Sequence, residues 1–197
     1  MIQPPASKNI AIFASGNGSN AENIIAHLRA TGSPLNVALI VTNRADAGVV
    51  QRAARLGVPV AVLTRSDIND PATMLGVLEA RGIKFIVLAG FLLMIPPFLV
   101  DRFEGRMINI HPSLLPRHGG KGMFGRHVHE AVIAAGDRET GITVHRVSHH
   151  YDSGAVIFQA RVPVDPTDTP ATVEAKIHAL EREHFPRVVC ETFSPPP

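Results

Sequence analysis

The chain has 197 residues, 45% of them hydrophobic and 18% charged, which excludes a disordered polymer and fits one compact domain over residues 1–197. Nineteen Lys and Arg against seventeen Asp and Glu leave a net charge of +2, too even a balance for a nucleic-acid groove. The lone Cys190 can build neither an intramolecular disulfide nor a cysteine metal cluster, which suits a reducing, cytoplasmic compartment.

In chain order, Met1 to Lys8 holds prolines and one lysine but no apolar segment of the kind a secretory leader needs. Short β-branched runs then alternate with helical spacing, the pattern of a parallel α/β sheet. Strands are expected at Asn9–Ala14, Val37–Thr42, Val58–Leu63, Phe85–Ala89 and Met107–His111. Between them, apolar spacing at Ile24, Ile25 and Leu28, at Val49, Val50, Ala53 and Leu56, and at Met74, Leu75 and Leu78 predicts three helices. Gly57 and Gly82 stand where C-caps belong. The longest apolar run, Phe85 to Ile95, contains Gly90 and stops at Pro96-Pro97, short of the ~20 residues a bilayer span requires. It reads as a buried strand followed by a loop, and no membrane association is expected. After His111 the pattern changes to a helix at Val128–Ala135, two alternating strands at Thr143–Val147 and Val156–Val164, and a last helix at about Ala171–Cys190. Ser194 to Pro197 reads as a frayed tail. The expected architecture is a Rossmann-like, mostly parallel sheet with helices on both faces and an antiparallel C-terminal extension.

Two stretches carry chemistry. The first strand runs directly into Ser15-Gly16-Asn17-Gly18-Ser19-Asn20-Ala21, and a strand, a glycine turn and a helix N-terminus together present backbone N–H groups to an anion. Gly18 permits a tight turn, while Ser19 and Asn20 can bond to a phosphate or cap the helix. The same residues also fit an ordinary structural turn, or a dinucleotide fingerprint. The latter calls for an acid at the tip of the second strand. That tip reads Val41-Thr42-Asn43-Arg44, so only an NADP-type reading through Arg44 remains beside the phosphomonoester one.

The second stretch is Met107-Ile108-Asn109-Ile110-His111-Pro112. Strand alternation puts Asn109 and His111 on one face near the strand's C-terminal end, where open α/β sheets bind ligands. An amide there can donate to an oxyanion and an imidazole can move protons near neutral pH. Asp152, in the turn His149–Gly154, would favour the imidazolium and raise the pKa of His111 if it stood beside it. The remaining histidines lack ligand spacing: His127 and His129 are two apart on a helix and His149-His150 are adjacent. No metal is expected, and solvated helix and loop faces are the default for these four.

Taken together, Ser15–Asn20, Leu88-Ala89-Gly90-Phe91, the run Asn109-Ile110-His111-Pro112-Ser113-Leu114-Leu115-Pro116 and Tyr151-Asp152-Ser153-Gly154 resemble the phosphoribosylglycinamide formyltransferases, folate-dependent enzymes of purine synthesis. The resemblance covers nearly the whole chain in order and implies the formyltransferase fold. It implies transfer of a formyl group from 10-formyltetrahydrofolate, a co-substrate, to the amine of 5-phosphoribosylglycinamide. By that likeness Asn109, His111 and Asp152 are the catalytic group. Asn109 and protonated His111 would stabilise the oxyanion, and Asp152 would hold His111 and a water. Gly18, Ser19, Asn20, Pro112 and Glu181 would bind the ribonucleotide, while Leu92, Leu93, Met94, Ile95, Asn109 and Tyr151 would bind the folate. Family members often carry an Arg just after Ala-Gly-Phe, where this chain has Leu92–Ile95. The glycines of Gly119–Gly125 suggest a flap over the site.

The resemblance implies small-molecule substrates; charge balance and the short apolar runs leave neither nucleic acid nor membrane as an expected partner, and a monomer or homodimer is expected. The rivals are a formyltetrahydrofolate hydrolase of the same fold, with water as acceptor, an NADP-dependent oxidoreductase, and a non-catalytic ribonucleotide-binding module.

Overall fold

A computed structural model describes residues 8–194; the expectations for residues 1–7 and for the prolines at 195–197 lie outside the described residues. The elements run β1 (Lys8–Phe13), α1 (Ser19–Ala30), β2 (Leu35–Thr42), α2 (Gly48–Leu56), β3 (Val60–Val62), α3 (Arg65–Asn69), α4 (Pro71–Glu79) and β4 (Ile83–Leu88). They continue with α5 (Pro97–Arg102), β5 (Met107–His111), α6 (Arg126–Ala134), β6 (Glu139–Arg146), β7 (Val156–Pro163) and α7 (Pro170–Phe193). The seven strands form one sheet in the order β3-β2-β1-β4-β5-β6-β7. β1 to β5 pair in parallel, whereas β6 and β7 are antiparallel additions. The expected architecture is the observed one.

Alternation along β1 builds both layers. Ile10 and Ile12 pack into a cluster with Ile24, Ile25 and Leu28 of α1 and Val173, Ile177 and Phe185 of α7. Ala11 and Phe13 join Met74 and Leu78 of α4 and Leu99 of α5 on the opposite face. Ile10, Ile12 and Phe13 are wholly buried, and removing a side chain of that size from water is worth ~1.5–3 kcal/mol.

The structure differs from the sequence expectation where local chemistry interrupts a pattern. β3 keeps only Val60–Val62 of the expected Val58–Leu63, because Pro59 has no N–H for the ladder. The third expected helix, with Met74, Leu75 and Leu78, is α4, capped by Asp70 with Pro71 in its first turn; the short α3 before it, which Thr64 and Asp67 cap reciprocally, is an addition. The run Phe85–Ile95 is a strand followed by a loop, as expected, and Pro97 then opens the short α5. β6 starts at Glu139, four residues before the expected Thr143, and pairs along β7 as far as Glu139 opposite Pro163. Gly57 is the left-handed C-cap of α2, whereas Gly82 lies two residues beyond the α4 cap, Ala80.

Sheet order places the functional region. The chain leaves β1 toward β2 and β3, then crosses back to put β4 on the other side of β1. Loops after β1 and β4 therefore diverge, opening a crevice at the strands' C-terminal ends.

Candidate active site

A cavity of about 550 Å³ occupies this crevice. Its first wall is the turn after β1. Gly18 sits at φ +80°, and a Cβ there would stand 2.5 Å from Val49 Cγ2, so the turn needs glycine both for its backbone and for its packing against α2. α2 braces the turn further: Val49 N–H donates to Gly16 O at 3.1 Å, and Arg52 Nε donates to Asn17 O at 2.9 Å. α1 then begins at Ser19 without a side-chain cap. Its first backbone N–H groups and positive dipole end are left open to the cavity. Asn20 does not cap the helix; its Nδ2 donates to Glu181 Oε2 on α7 at 3.0 Å.

The second wall is the segment after β4. Buried Ser15 links the two loops: its N–H donates to Gly90 O at 3.0 Å, and its hydroxyl accepts from Leu92 N–H at 3.0 Å while donating to Asn43. Phe91 packs edge-on against Phe13. Leu92 and Met94 are each 46% exposed, as are Phe124 at 44% and Tyr151 at 43%, and all four line the cavity. Apolar side chains left open around one mouth mark a site for a ligand with an apolar face. Leu93 and Ile95 complete the segment, with Ile95 buried in the core beneath it.

β5 carries the polar centre. Ile108 and Ile110 face the α1/α7 layer and Met107 faces the other; Asn109 and His111 share the Met107 side, as alternation requires. The run after His111 is fixed by a buried polar knot. Thr143 Oγ1 donates to Ser113 O at 2.7 Å and accepts from Leu115 N–H at 3.0 Å, and Gln159 Nε2 donates to Leu115 O at 3.0 Å.

Asp152 reaches the same centre from the β6–β7 connection, with φ +50°, a conformation Asp tolerates better than most side chains. The connection closes through Gly154, where a Cβ would lie 1.7 Å from Arg146 O. Asp152 Oδ1 is 3.5 Å from His111 Nδ1 and 3.6 Å from His145 Nε2, and Oδ2 accepts from Gly120 N–H at 2.8 Å. Burial pushes the carboxyl up, but the His145 and His111 rings and the Gly120 N–H more than offset this and hold it below the usual carboxylate value. His111 is 3% exposed and its Nε2 donates to His118 O at 2.8 Å. Here the structure departs from the sequence expectation. Burial lowers the imidazole pKa, and Asp152 with the His118 carbonyl opposes the shift without reversing it. The resting ring is therefore neutral at pH 7.

α7 forms the far wall. Burial raises the pKa of Glu181, and Asn20 partly offsets it. Every residue that the resemblance assigns to catalysis or binding, from Gly18 to Glu181, borders this one cavity. Residues that the sequence reading left unassigned join them: His129, Glu174 and His178. His129 is no solvated helix face, being 2% exposed; it extends the apolar stripe of Val128 and Val132 on α6, a spacing that was available to read. Arg44 is absent from the cavity lining and pairs with Asp46 at 2.8 Å on the surface, which removes the contact an NADP reading needs. Among the described residues no cluster of three or more His, Cys, Asp or Glu is arranged to hold a metal, and no helix is long and apolar enough to cross a membrane.

Residues 8–189 match the formyl transferase family. The chain is 40% identical to a chloroplastic phosphoribosylglycinamide formyltransferase of Arabidopsis thaliana over 187 residues, covering 91% of this chain and 63% of that protein, less than two thirds of its length. It is 37% identical to the phosphoribosylglycinamide formyltransferase of Haemophilus influenzae, covering 92% of this chain and 85% of that one. The crystal structure of the Bacillus halodurans phosphoribosylglycinamide formyltransferase superposes with a TM-score of 0.86 at 37% identity, over 95% of this chain and 96% of that one. The chain thus belongs to the formyl transferase family, alongside these phosphoribosylglycinamide formyltransferases.

Proposed function

We propose that the protein transfers the formyl group of 10-formyltetrahydrofolate to the primary amine of 5-phosphoribosylglycinamide, acting in the cytoplasm on small-molecule substrates in purine biosynthesis. One observation carries the reading. Asn109, His111 and Asp152 converge between an uncapped helix N-terminus suited to a phosphate and an apolar mouth suited to a pteridine.

The phosphate lies on Gly18, Ser19 and Asn20, met by backbone N–H groups rather than by a basic surface. Pro112 and Glu181 border the ribose and glycinamide, and the folate ring lies along Leu92–Ile95 and Tyr151. The amine nitrogen forms a bond to the formyl carbon, and the carbonyl oxygen takes the displaced electron pair. Asn109 donates to that oxyanion, a role worth ~3–4 kcal/mol when well placed. The proton released by the amine is relayed to His111 Nδ1, where the Asp152 carboxylate faces it. The resulting imidazolium sets a positive charge beside the oxyanion. Collapse breaks the bond between the formyl carbon and folate N10, and the proton ends on N10, so the ring of His111 returns to neutral. Gly119–Gly125 serves as a flap whose Gly120 N–H holds Asp152, while the His118 carbonyl just before it holds His111.

The test is acceptor dependence. Incubated with 10-formyltetrahydrofolate and followed by product absorbance, the protein should turn over only when the ribonucleotide is added. Turnover at an equal rate without it would identify a hydrolase instead.

A further inference from the structure

His145 stands on β6 directly opposite Asn109 of β5 in the strand register, so the two side chains project from the same face at cross-strand contact distance. Beside it the β6–β7 register slips between Val144 and His145, the kind of irregularity that re-aims a side chain at a site. The ring is 3% exposed.

Hydrogen-bond chemistry fixes its tautomer. Nδ1 lies 2.7 Å from Arg146 O, and a carbonyl only accepts, so Nδ1 carries the hydrogen. In the neutral ring Nε2 is then a bare acceptor, and Asn109 Nδ2 stands 3.0 Å from it. Turning the Asn109 amide over would set its oxygen against that lone pair, so the amide is held one way round. One N–H of Nδ2 is committed to His145, which aims the second. Asp152 Oδ1, at 3.6 Å from Nε2, is beyond hydrogen-bond reach of this tautomer. A doubly protonated ring would instead turn its Nε2–H toward that carboxylate and release the amide.

We propose that His145 is a positioning residue whose neutral Nδ1–H tautomer accepts from Asn109 and so points the amide's free N–H at the reacting oxygen. The inference rests on the reading of Asn109 as the oxyanion donor. Misplacing a catalytic group by about 1 Å costs up to ~10²-fold. His145→Leu should therefore lower kcat by about 10–100-fold while the ribonucleotide Kd stays unchanged. His145→Gln, whose side-chain carbonyl can accept the same N–H, should restore most of the rate. Adding His145→Leu to Asn109→Ala should slow Asn109→Ala no further, because the group being aimed is gone.

A full kcat in His145→Leu, no recovery in His145→Gln, or a loss that adds fully to that of Asn109→Ala overturns the inference. A full kcat in Asn109→Ala would overturn the role of Asn109 itself, which separates the two failures. Should His145→Leu not fold, ¹⁵N NMR of the imidazoles in the unaltered protein decides. A neutral ring protonated at Nδ1 is expected, and a ring protonated at Nε2, alone or with Nδ1, overturns the assignment.

Discussion

Replacement of His111 by Asn is expected to lower kcat by about 10²–10⁴-fold, the range that a positioned proton-transfer group contributes, with the ribonucleotide Kd changed less than about threefold. The separation follows from where the ring sits. His111 is buried between Asp152 Oδ1 and the His118 carbonyl, away from the open N-terminus of α1 that meets the phosphate. Asn preserves a polar group at the strand end but can neither accept the amine's proton nor become a cation beside the oxyanion. Steady-state kinetics with a separate binding titration gives both quantities. A variant with near-normal kcat removes His111 from the mechanism, and a large loss of binding with kcat intact would recast it as a ligand contact.

The second large effect lies at the other end of the cavity. Ser19→Asp should weaken ribonucleotide binding by about 10–100-fold, or roughly 1.4–2.8 kcal/mol. Ser19 is the exposed first residue of α1, and a carboxylate there places a like charge against the phosphate. Two unit charges about 4 Å apart cost roughly 4 kcal/mol at an effective dielectric constant of about 20 and about 1 kcal/mol in water; an exposed position falls between them. In the free protein the same Asp favours the helix N-terminus, so the variant should fold at least as well as the parent. Calorimetric titration with the ribonucleotide measures the change. An unaltered Kd would place the phosphate elsewhere.

Much of this site is legible before any coordinates. Alternation alone puts Asn109 and His111 on one face of β5, and the glycines at 16 and 18 mark the turn into α1, because both are local rules of backbone geometry. The structure adds what depends on contacts distant in sequence. The partner of Asn109 is His145, thirty-six residues on, and only the antiparallel register of β5 with β6 brings them face to face. His129 falls on the apolar stripe of α6 in sequence, and the packing of α6 against α7 is what buries it. The direction of the His111 shift depends on how completely the ring loses water, which outweighs the attraction of Asp152. Some missed elements had local signals. Thr64 with Asp67 and Pro97 are helix starts written in capping chemistry, and apolar periodicity over helices as short as α3 and α5 is too brief to register them.

Acceptor, donor and catalytic group are joined in the claim that one cavity moves a formyl carbon from folate nitrogen to ribonucleotide nitrogen. Its most direct measurement follows a ¹³C label in the formyl group by NMR, with both substrates present. The label should appear as an amide carbon on the ribonucleotide, at a rate that falls in His111→Asn. Label released as formate, or left on the donor while the ribonucleotide is saturating, would contradict the account.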